Sequence, residues 1–553
     1  MLLSFQRKKI KPALLYKFFN KVYQWNNTFV QTACMKNIVL QVFLWLLPII
    51  VVAQPQENNA TKQLTILYTN DLHAHVNAQK LDWISQTHKI GGFANIATLV
   101  KKEKAANPHT VYFDAGDYFT GPYISSLTKG EAVIDVMNHL SIDAACIGNH
   151  EFDHGWQNVP LQLKKATFPI LNGNIFVKKS QKLLWNFPYK IIVKNGIRIG
   201  VIGLHGQFAF YDTISDEMIQ GVEARNEEKY LQQYINELKG KTDIIVLLIH
   251  EGIPGRQSSK GTADVGRNLK KDLELAQNVS GVDVIVTGHA HQGTPEALIS
   301  NGTIIVSTDA LGMQLGKLNI TYDANQDKII AYENKLDYIY DDEVEDDSAT
   351  LATIQKWEKK LAAVTDEKIC TSPVKLFRSY GEESLLGNMV ADAMLSAHPT
   401  YDFALVNSGG LRQDVEGGSI TLGNLISAFP FPNTNILLEM KGKDVLDLFE
   451  HAASLTNGIL QVSKGVEFVY SESLPVGKRV VSLKIKGAPL QLNQTYKIIT
   501  SNFMADGGDG YFAFKKATQR KNTQEFILDA MAKYLKTFKV YSPSLEGRVK
   551  AGS

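Results

Sequence analysis

The chain predicts an α/β fold in two parts: a layered β-sandwich flanked by helices, then a connecting helix and a second mixed α/β domain. Three observations lead there. Over residues 64–340, strand-like runs (LTILYTN, HTVYFDAGD, DAACIGNH, IRIGVIGLH, DIIVLLIH, DVIVTGH, TIIVST) alternate with helical periodicity such as ANIATLVKKEKAA, the pattern of layered α/β architecture. The acidic segment DDEVEDD near 341–347 breaks that rhythm, and ATLATIQKWEKKLAAV after it is helical with few breakers, so 341–369 reads as an acidic turn and connecting helix. Residues 370–546 then carry their own apolar runs, glycine-rich turns and aromatic loops. With 553 residues, 44% hydrophobic and 21% charged, there is room for two or three domains.

Taken in order, residues 1–53 read as an export signal. From Ile38 to Val52 runs IVLQVFLWLLPIIVV, short for a membrane span and interrupted by Pro48, with Ala53 at a cleavage point and Val51 at the −3 position. Met35 and Lys36 supply an alternative start and a positive n-region, so residues 1–34 are either an extended n-region or lie upstream of the true start. A retained membrane anchor is the competing reading. No Cys follows the apolar run, and the carboxyl-terminal LEGRVKAGS lacks the hydrophobic tail of a lipid-anchor signal. Residues 54–63 (QPQENNATKQ) are polar and expected to be disordered. The expectation is a periplasmic or secreted protein with no stable membrane anchor once the signal is removed.

A formal charge of +2, with Lys and Arg scattered rather than clustered, argues against a nucleic-acid polymer as partner. Only three cysteines occur. Cys34 leaves with the signal, and Cys146 and Cys370 read as two buried thiols rather than a disulfide framework. Zinc thiolate sites are excluded by count, so any metal is held by nitrogen and oxygen.

Six polar runs carry the chemistry: YTNDLHAHV, DAGDYFTG, IGNHEFDHG, LNGN, LLIHEG and TGHAHQ. In five of them an apolar stretch stops and Asp, His or Asn follows, placing metal-ligand side chains on loops at strand ends, where ligands gather in open α/β sheets. Asp71 and His73 are two residues apart and share a face of an extended segment, so they can hold one ion together. Asp117 offers two carboxylate oxygens and can bridge two ions, Asn149 offers a neutral carbonyl oxygen, and His250, His289 and His291 offer imidazoles. Oxygen and imidazole donors fit zinc, manganese, iron or cobalt. Alone, each residue reads as a turn former; their convergence in this order points to two divalent metal ions.

The order D-x-H, GD, GNHE, H and GHxH resembles that of the calcineurin-like metallophosphoesterases. GNHEFD with the carboxyl-terminal motifs below is similar to the 5'-nucleotidase/UDP-sugar hydrolase family, over essentially the whole mature chain. The resemblance implies a metallophosphoesterase catalytic domain over 64–340 and a nucleotide-recognition domain over 370–546. It implies Asp71, His73, Asp117 and His291 around one metal, and Asp117, Asn149, His250 and His289 around the other. Some members carry Gln where this chain has His291, which leaves a ligand in place.

Phosphate-monoester hydrolysis needs on the order of 20 kcal/mol of barrier lowering. Two cations lower the pKa of a bound water, neutralise phosphoryl oxygens and align in-line attack. The leaving alkoxide still needs a proton or a compensating charge. His150 is the candidate, and Asp153 can accept its other N–H and fix the tautomer; the resemblance implies the same pairing. Asn174 in LNGN either faces the site or closes a turn. His154 and His75 read as neighbours of ligands or exposed groups, and His205 has no assigned role.

In the second part, NSGGLR puts the amide of Asn407 and the guanidinium of Arg412 around a turn whose glycines let backbone approach a ligand. AFPFPN carries Phe431, and SNFMADGGDGY carries Phe503 and Asp509. Paired aromatics can sandwich a base and Asp can bind ribose hydroxyls, although each motif alone also reads as a turn or core packing. The resemblance implies that Phe431 and Phe503 stack the base, Asn407 contacts it, Asp509 binds ribose and Arg412 lies on the phosphate side. One run departs: in FRSYGEESLLGN, Arg378 is displaced, with Tyr380 and Gly381 intervening, so either it reaches the site from a shifted loop or the phosphate contact is weakened. The chain is therefore expected to be a metal-dependent 5'-nucleotidase. The rivals are a UDP-sugar hydrolase or 2',3'-cyclic-nucleotide phosphodiesterase on the same scaffold, a sulfur-compound hydrolase, and a catalytically inactive nucleotide-binding protein.

Overall fold

The computed structural model describes residues 60–552 apart from 255, 258–262 and 266. The signal reading of residues 1–53 lies outside the described residues. Among these, two six-stranded sheets form the amino-terminal half. The first runs Lys328–Tyr338, Gln314–Asp323, Thr61–Thr69, Thr110–Asp114, Ala144–Cys146, Ile170–Leu171. The second runs Leu298–Ser300, Thr303–Val306, Val284–His289, Ile244–Glu251, Ile197–His205, Tyr189–Lys194.

Period-two side-chain alternation builds the sandwich. Leu64, Ile66 and Tyr68 pack with Val201, Val246, Leu248 and Val286 in one core cluster. Leu67, pointing the other way, packs with Phe93, Ile96 and Val100 of the helix Phe93–Ala106. Thr61–Thr69, Thr110–Asp114 and Ala144–Cys146 are successive parallel neighbours, as are Ile197–His205, Ile244–Glu251 and Val284–His289. Parallel strands bring their carboxyl ends to one edge, and that edge collects the ligand runs.

The expected disorder of 54–63 fails at its end. Thr61, Lys62 and Gln63 begin the first strand, in register with Asp323, Tyr322 and Thr321, and Gln63 Nε2 donates to Thr321 Oγ1 at 3.1 Å. Ladder bonds to a long partner strand substitute there for apolar content.

Between the halves lies the helix Ser348–Thr365. Asp347 caps it, accepting from the Thr350 N–H at 3.0 Å, and Lys101 pairs with the same carboxylate at 2.6 Å. Ile354 and Trp357 are buried in the amino-terminal core, and Trp357 Nε1 donates to Asp135 at 2.8 Å. The helix is thus docked on the first half.

The second half is built on a five-stranded sheet, Leu460–Val462, Phe403–Asn407, Thr495–Ser501, Thr434–Lys441, Gln519–Phe526. Val445, Leu448 and Phe449 of the helix Gly442–Ala453 cover one face. Leu386 and Met389 of Leu385–Ala397, with Met531 and Leu535 of Ile527–Lys536, cover the other. The unit extends past both expected limits: Lys368–Ser372 opens it, and Val549–Ala551 pairs parallel with Val466–Tyr470. Cys146 and Cys370 are buried free thiols. No helix among the described residues is long and apolar enough to cross a membrane.

Candidate active site

At the common edge of the two sheets, seven sequence-predicted groups converge. Asp71 and His73 follow Thr61–Thr69, Asp117 follows Thr110–Asp114, and Asn149 follows Ala144–Cys146. His250 and His289 differ from expectation in lying within the last residues of their strands, Ile244–Glu251 and Val284–His289, where ladder pairing itself holds them. Asp71, His73 and His291 bring one donor atom each within 4.8 Å of one another, as do Asp117, His250 and His289, and also His73, Asp117 and His150.

The backbone bends sharply to do this. Asp71, His73, Asp117, His289 and His291 have φ of 52°, 45°, 59°, 71° and 52°, a left-handed region that costs a non-glycine residue on the order of 1 kcal/mol or more and persists where surroundings impose it. Glu151 imposes part of it. Its buried carboxylate accepts the N–H groups of Asp117, Tyr118, Phe119 and Gly148 at 3.1, 3.0, 3.0 and 2.6 Å, tying the Asp117 turn to the GNHE turn. Burial, and then the charge of Asp117, push this carboxyl up to about 8, opposed by the donated N–H groups. Gly148 sits so close to Asp117 that a Cβ there would lie 2.2 Å from its Oδ1. Asn70 steadies Asp71, donating to its Oδ2 at 2.7 Å while accepting from the Thr308 N–H at 2.7 Å.

The donor set fits metal cations. The carbonyls of Thr120 and Ala115 accept the Nδ1–H of His73 and His250 at 3.1 and 2.8 Å, which turns each Nε2 inward as a potential ligand atom. His73 Nε2 stands 3.0 Å from His291 Nε2, and His250 Nε2 stands 3.0 Å from Asp117 Oδ2. His289 Nδ1 lies 2.9 Å from Asn149 Oδ1. Asp71 Oδ1 is within 3.5 Å of His291 Nε2 and 3.7 Å of His250 Nε2. Inward-facing nitrogens packed against carboxylates need positive charge between them. Burial would depress His250, but the attraction of Asp117 raises it to about 10. Burial would likewise raise Asp117, but His250 and His150 hold it well below the carboxylate range. A cation in that place displaces the proton.

His150 Nδ1 and Asp153 Oδ2 are 2.6 Å apart, each side chain 12% exposed, and the His150 N–H donates to Asp117 Oδ1 at 2.8 Å. Across the cleft, the second half presents its own strand ends. Asn407 ends Phe403–Asn407, and Phe503 lies on the short helix after the parallel neighbour Thr495–Ser501. Phe431 precedes Thr434–Lys441, and its ring lies 5.9 Å from that of His150. Asp509, itself left-handed at φ 53°, accepts from Asn407 Nδ2 at 2.7 Å. Arg412 reaches within 3.5 Å of both ring nitrogens of His73. One cleft, partly open to solvent, is lined by Asn149, His150, Arg412, Phe431, Phe503 and Asp509.

Other predicted residues lie elsewhere. Asn174 closes a turn: its amide donates to the His205 and Arg225 carbonyls at 2.7 and 2.8 Å and its Oδ1 accepts from the His205 N–H at 2.9 Å. His205 is a buried residue in register with His250, its ring 5.8 Å from that of His250. His154 is half-buried and does not line the cleft. Arg378 does not line the cleft either; its N–H and Nη1 bind Asp414 at 3.0 and 3.1 Å. The intervening Tyr380 is buried and donates to the Leu411 carbonyl at 2.8 Å, so the extra residues fold inward and Arg378 sits beyond Arg412. Sequence reasoning missed Glu151, although it stands within GNHE, and missed Thr213, Ser215 and Met218, which line the cleft from a segment with no motif.

Residues 64–293 match the calcineurin-like phosphoesterase family model, and residues 362–516 match that of the 5'-nucleotidase C-terminal domain. Fold and site together define a metal-dependent phosphoric monoester hydrolase. A snake venom 5'-nucleotidase of Naja atra is 31% identical over 89% of this chain and 99% of its own length. A 5'-nucleotidase of Homo sapiens is 29% identical over 88% and 91%. The crystal structure of a 5'-nucleotidase precursor from Thermus thermophilus superposes with a TM-score of 0.78 at 29% identity, over 89% of this chain and 99% of that one. The chain belongs to the 5'-nucleotidase family.

Proposed function

We propose that the chain hydrolyses nucleoside 5'-monophosphates, with Asp71, His73, Asp117 and His291 holding one divalent cation and Asp117, Asn149, His250 and His289 a second. The observation that supports this is one cleft lined both by Phe431, Phe503 and Asp509, groups suited to a base and a ribose, and by Asn149 and His150 beside the proposed metal ligands. When bound, the metals supply charge neutralisation and an activated water. The protein supplies the rest. Phe431 and Phe503 grip the base, and Asp509, oriented by Asn407, accepts from ribose hydroxyls. Arg412 compensates phosphoryl charge, and His150, its Nδ1–H held by Asp153, presents Nε2 to the departing 5'-oxygen.

A panel of AMP, UMP, UDP-glucose, 2',3'-cyclic AMP and ATP on metal-reconstituted protein tests the substrate class. Highest kcat/KM for the monophosphates is expected; preference for UDP-glucose or the cyclic ester overturns it, and nucleotide binding without turnover identifies a binding protein. Export is part of the same proposal: the secreted protein should begin at Gln54, and an intact residue 1–53 segment on it counts against the signal reading.

A further inference from the structure

Asp509 stands in the cleft on a strained stretch of backbone. Gly507, Asp509 and Gly510 are all left-handed, at φ 96°, 53° and 79°, and Asp509 is the one of the three whose Cβ makes that conformation costly, so its surroundings must impose it. Two side chains do so from behind the loop. His451 Nε2 stands 2.7 Å from the Asp509 carbonyl oxygen, and Asn457 Nδ2 donates to the same oxygen at 3.2 Å. A carbonyl only accepts, so His451 carries a proton on Nε2 in this contact. The imidazole packs directly on the loop: a Cβ at Gly510 would lie 2.8 Å from His451 Cε1, and the Tyr511 ring meets it edge-on at 4.6 Å between centroids. His451 sits in the last turn of the helix Gly442–Ala453, which Val445, Leu448 and Phe449 fasten into the core. Asp509 is therefore held twice over, by Asn407 on its carboxylate at 2.7 Å and by His451 and Asn457 on its backbone. Neither His451 nor Asn457 lines the cleft.

On the reading of the cleft as a 5'-monophosphate site, on which this rests, we infer that His451 is a positioning residue for ribose recognition: from outside the cleft it holds the Asp509 carbonyl and so aims the Asp509 carboxylate at the sugar hydroxyls. Without the Nε2–H the left-handed turn loses the shorter of its two carbonyl bonds. Asp509 then relaxes toward the extended or right-handed backbone that a residue with a Cβ prefers, and its carboxylate swings away. Base stacking should survive the change. Phe503 stands on a separate element, the helix Asn502–Ala505, whose cap Ser501 accepts the Met504 N–H at 3.2 Å, and Phe431 lies on another loop, before Thr434–Lys441. The loss is confined to the ribose.

Steady-state kinetics of metal-loaded full-length protein test it, on AMP and on 2',3'-dideoxyadenosine 5'-monophosphate, which lacks both sugar hydroxyls. His451→Leu should raise KM for AMP roughly tenfold or more, the loss of a hydrogen bond to a charged group, with kcat little changed and KM for the dideoxy ester unmoved. His451→Gln, whose amide N–H can serve the same carbonyl, should recover most of the wild-type KM. Asn457→Ala removes the second donor and should shift KM in the same selective way. An unchanged KM for AMP in His451→Leu overturns the positioning role, as does an equal rise on both esters or a His451→Gln enzyme as impaired as His451→Leu. Should His451→Leu not fold, as read by circular dichroism, an absent or unselective effect in Asn457→Ala overturns it. Wild-type protein that gives both esters the same KM overturns the ribose reading of Asp509 instead, and absence of AMP hydrolysis overturns the hydrolytic reading, so the failures are told apart.

Discussion

Replacing Asp153 with Asn removes one charge while keeping size and leaves every proposed metal ligand in place. The His150 Nδ1 to Asp153 Oδ2 separation is 2.6 Å and both side chains are 12% exposed, so the bond is charge-assisted and weakly screened. Such bonds contribute about 1.5–3 kcal/mol. Asn can accept the Nδ1–H, but without charge, and its amide can also donate and stabilise the opposite tautomer. If that stabilisation is felt when charge develops on the 5'-oxygen, kcat for AMP falls by about 10–150-fold with KM little changed. His150→Ala, losing the whole group, should cost roughly 10²–10⁴-fold. The assay is initial-rate phosphate release at saturating metal, run in parallel on an aryl phosphate whose phenolate departs without a proton. A fall in kcat for AMP that disappears for the aryl ester is the expected signature. Equal losses on both esters would refute leaving-group assistance, and an unchanged kcat would refute any role for the pair in the chemical step.

Phe431→Ala and Phe503→Ala should each raise KM for AMP by about 5–150-fold, from 1–3 kcal/mol of stacking, and leave a phosphate ester without a base unaffected; unchanged KM values would favour the sulfur-compound reading. His250→Ala should lower retained metal by more than roughly 100-fold in affinity, since even groups that merely orient ligands cost 10–100-fold; elemental analysis after dialysis checks it. Asp347→Ala should destabilise by about 1 kcal/mol through the lost helix cap, read from denaturant unfolding. Burial alone would raise Asp347, but Lys101 and Thr350 hold it at about 2 against an ordinary 3.8. Its extra stabilisation is therefore full above pH 3.8 and fades as pH falls through about 2, and a wild-type advantage that grows on acidification would contradict this.

The sandwich and the convergence of Asp71, His73, Asp117, Asn149, His250, His289 and His291 were legible because ligand types follow apolar parallel strands, whose ends must share an edge. What escaped was whatever depends on contacts distant in sequence. Thr61–Gln63 is polar and becomes strand only because Thr321–Asp323 pairs with it. Glu151 was visible as a letter in GNHE, but three of its four accepted N–H bonds arise from the approach of the Asp117 turn, 32–34 residues away. Arg378 was seen as displaced; where it went required the burial of Tyr380. Thr213, Ser215 and Met218 reach the cleft from a segment with no repeat, charge run or glycine turn.

The left-handed turns under Asp71, His73, Asp117, His289 and His291 would tie the protein's lifespan to the ions proposed for them. At about 1 kcal/mol each, they withhold roughly 5 kcal/mol from the folded state, a large share of the 5–15 kcal/mol that holds a typical fold together. Ions that bind only the native arrangement restore that margin by mass action. Chelation should then do more than silence turnover: it should open these loops to proteases, so that molecules stripped of metal are cleared and those that survive are the loaded ones.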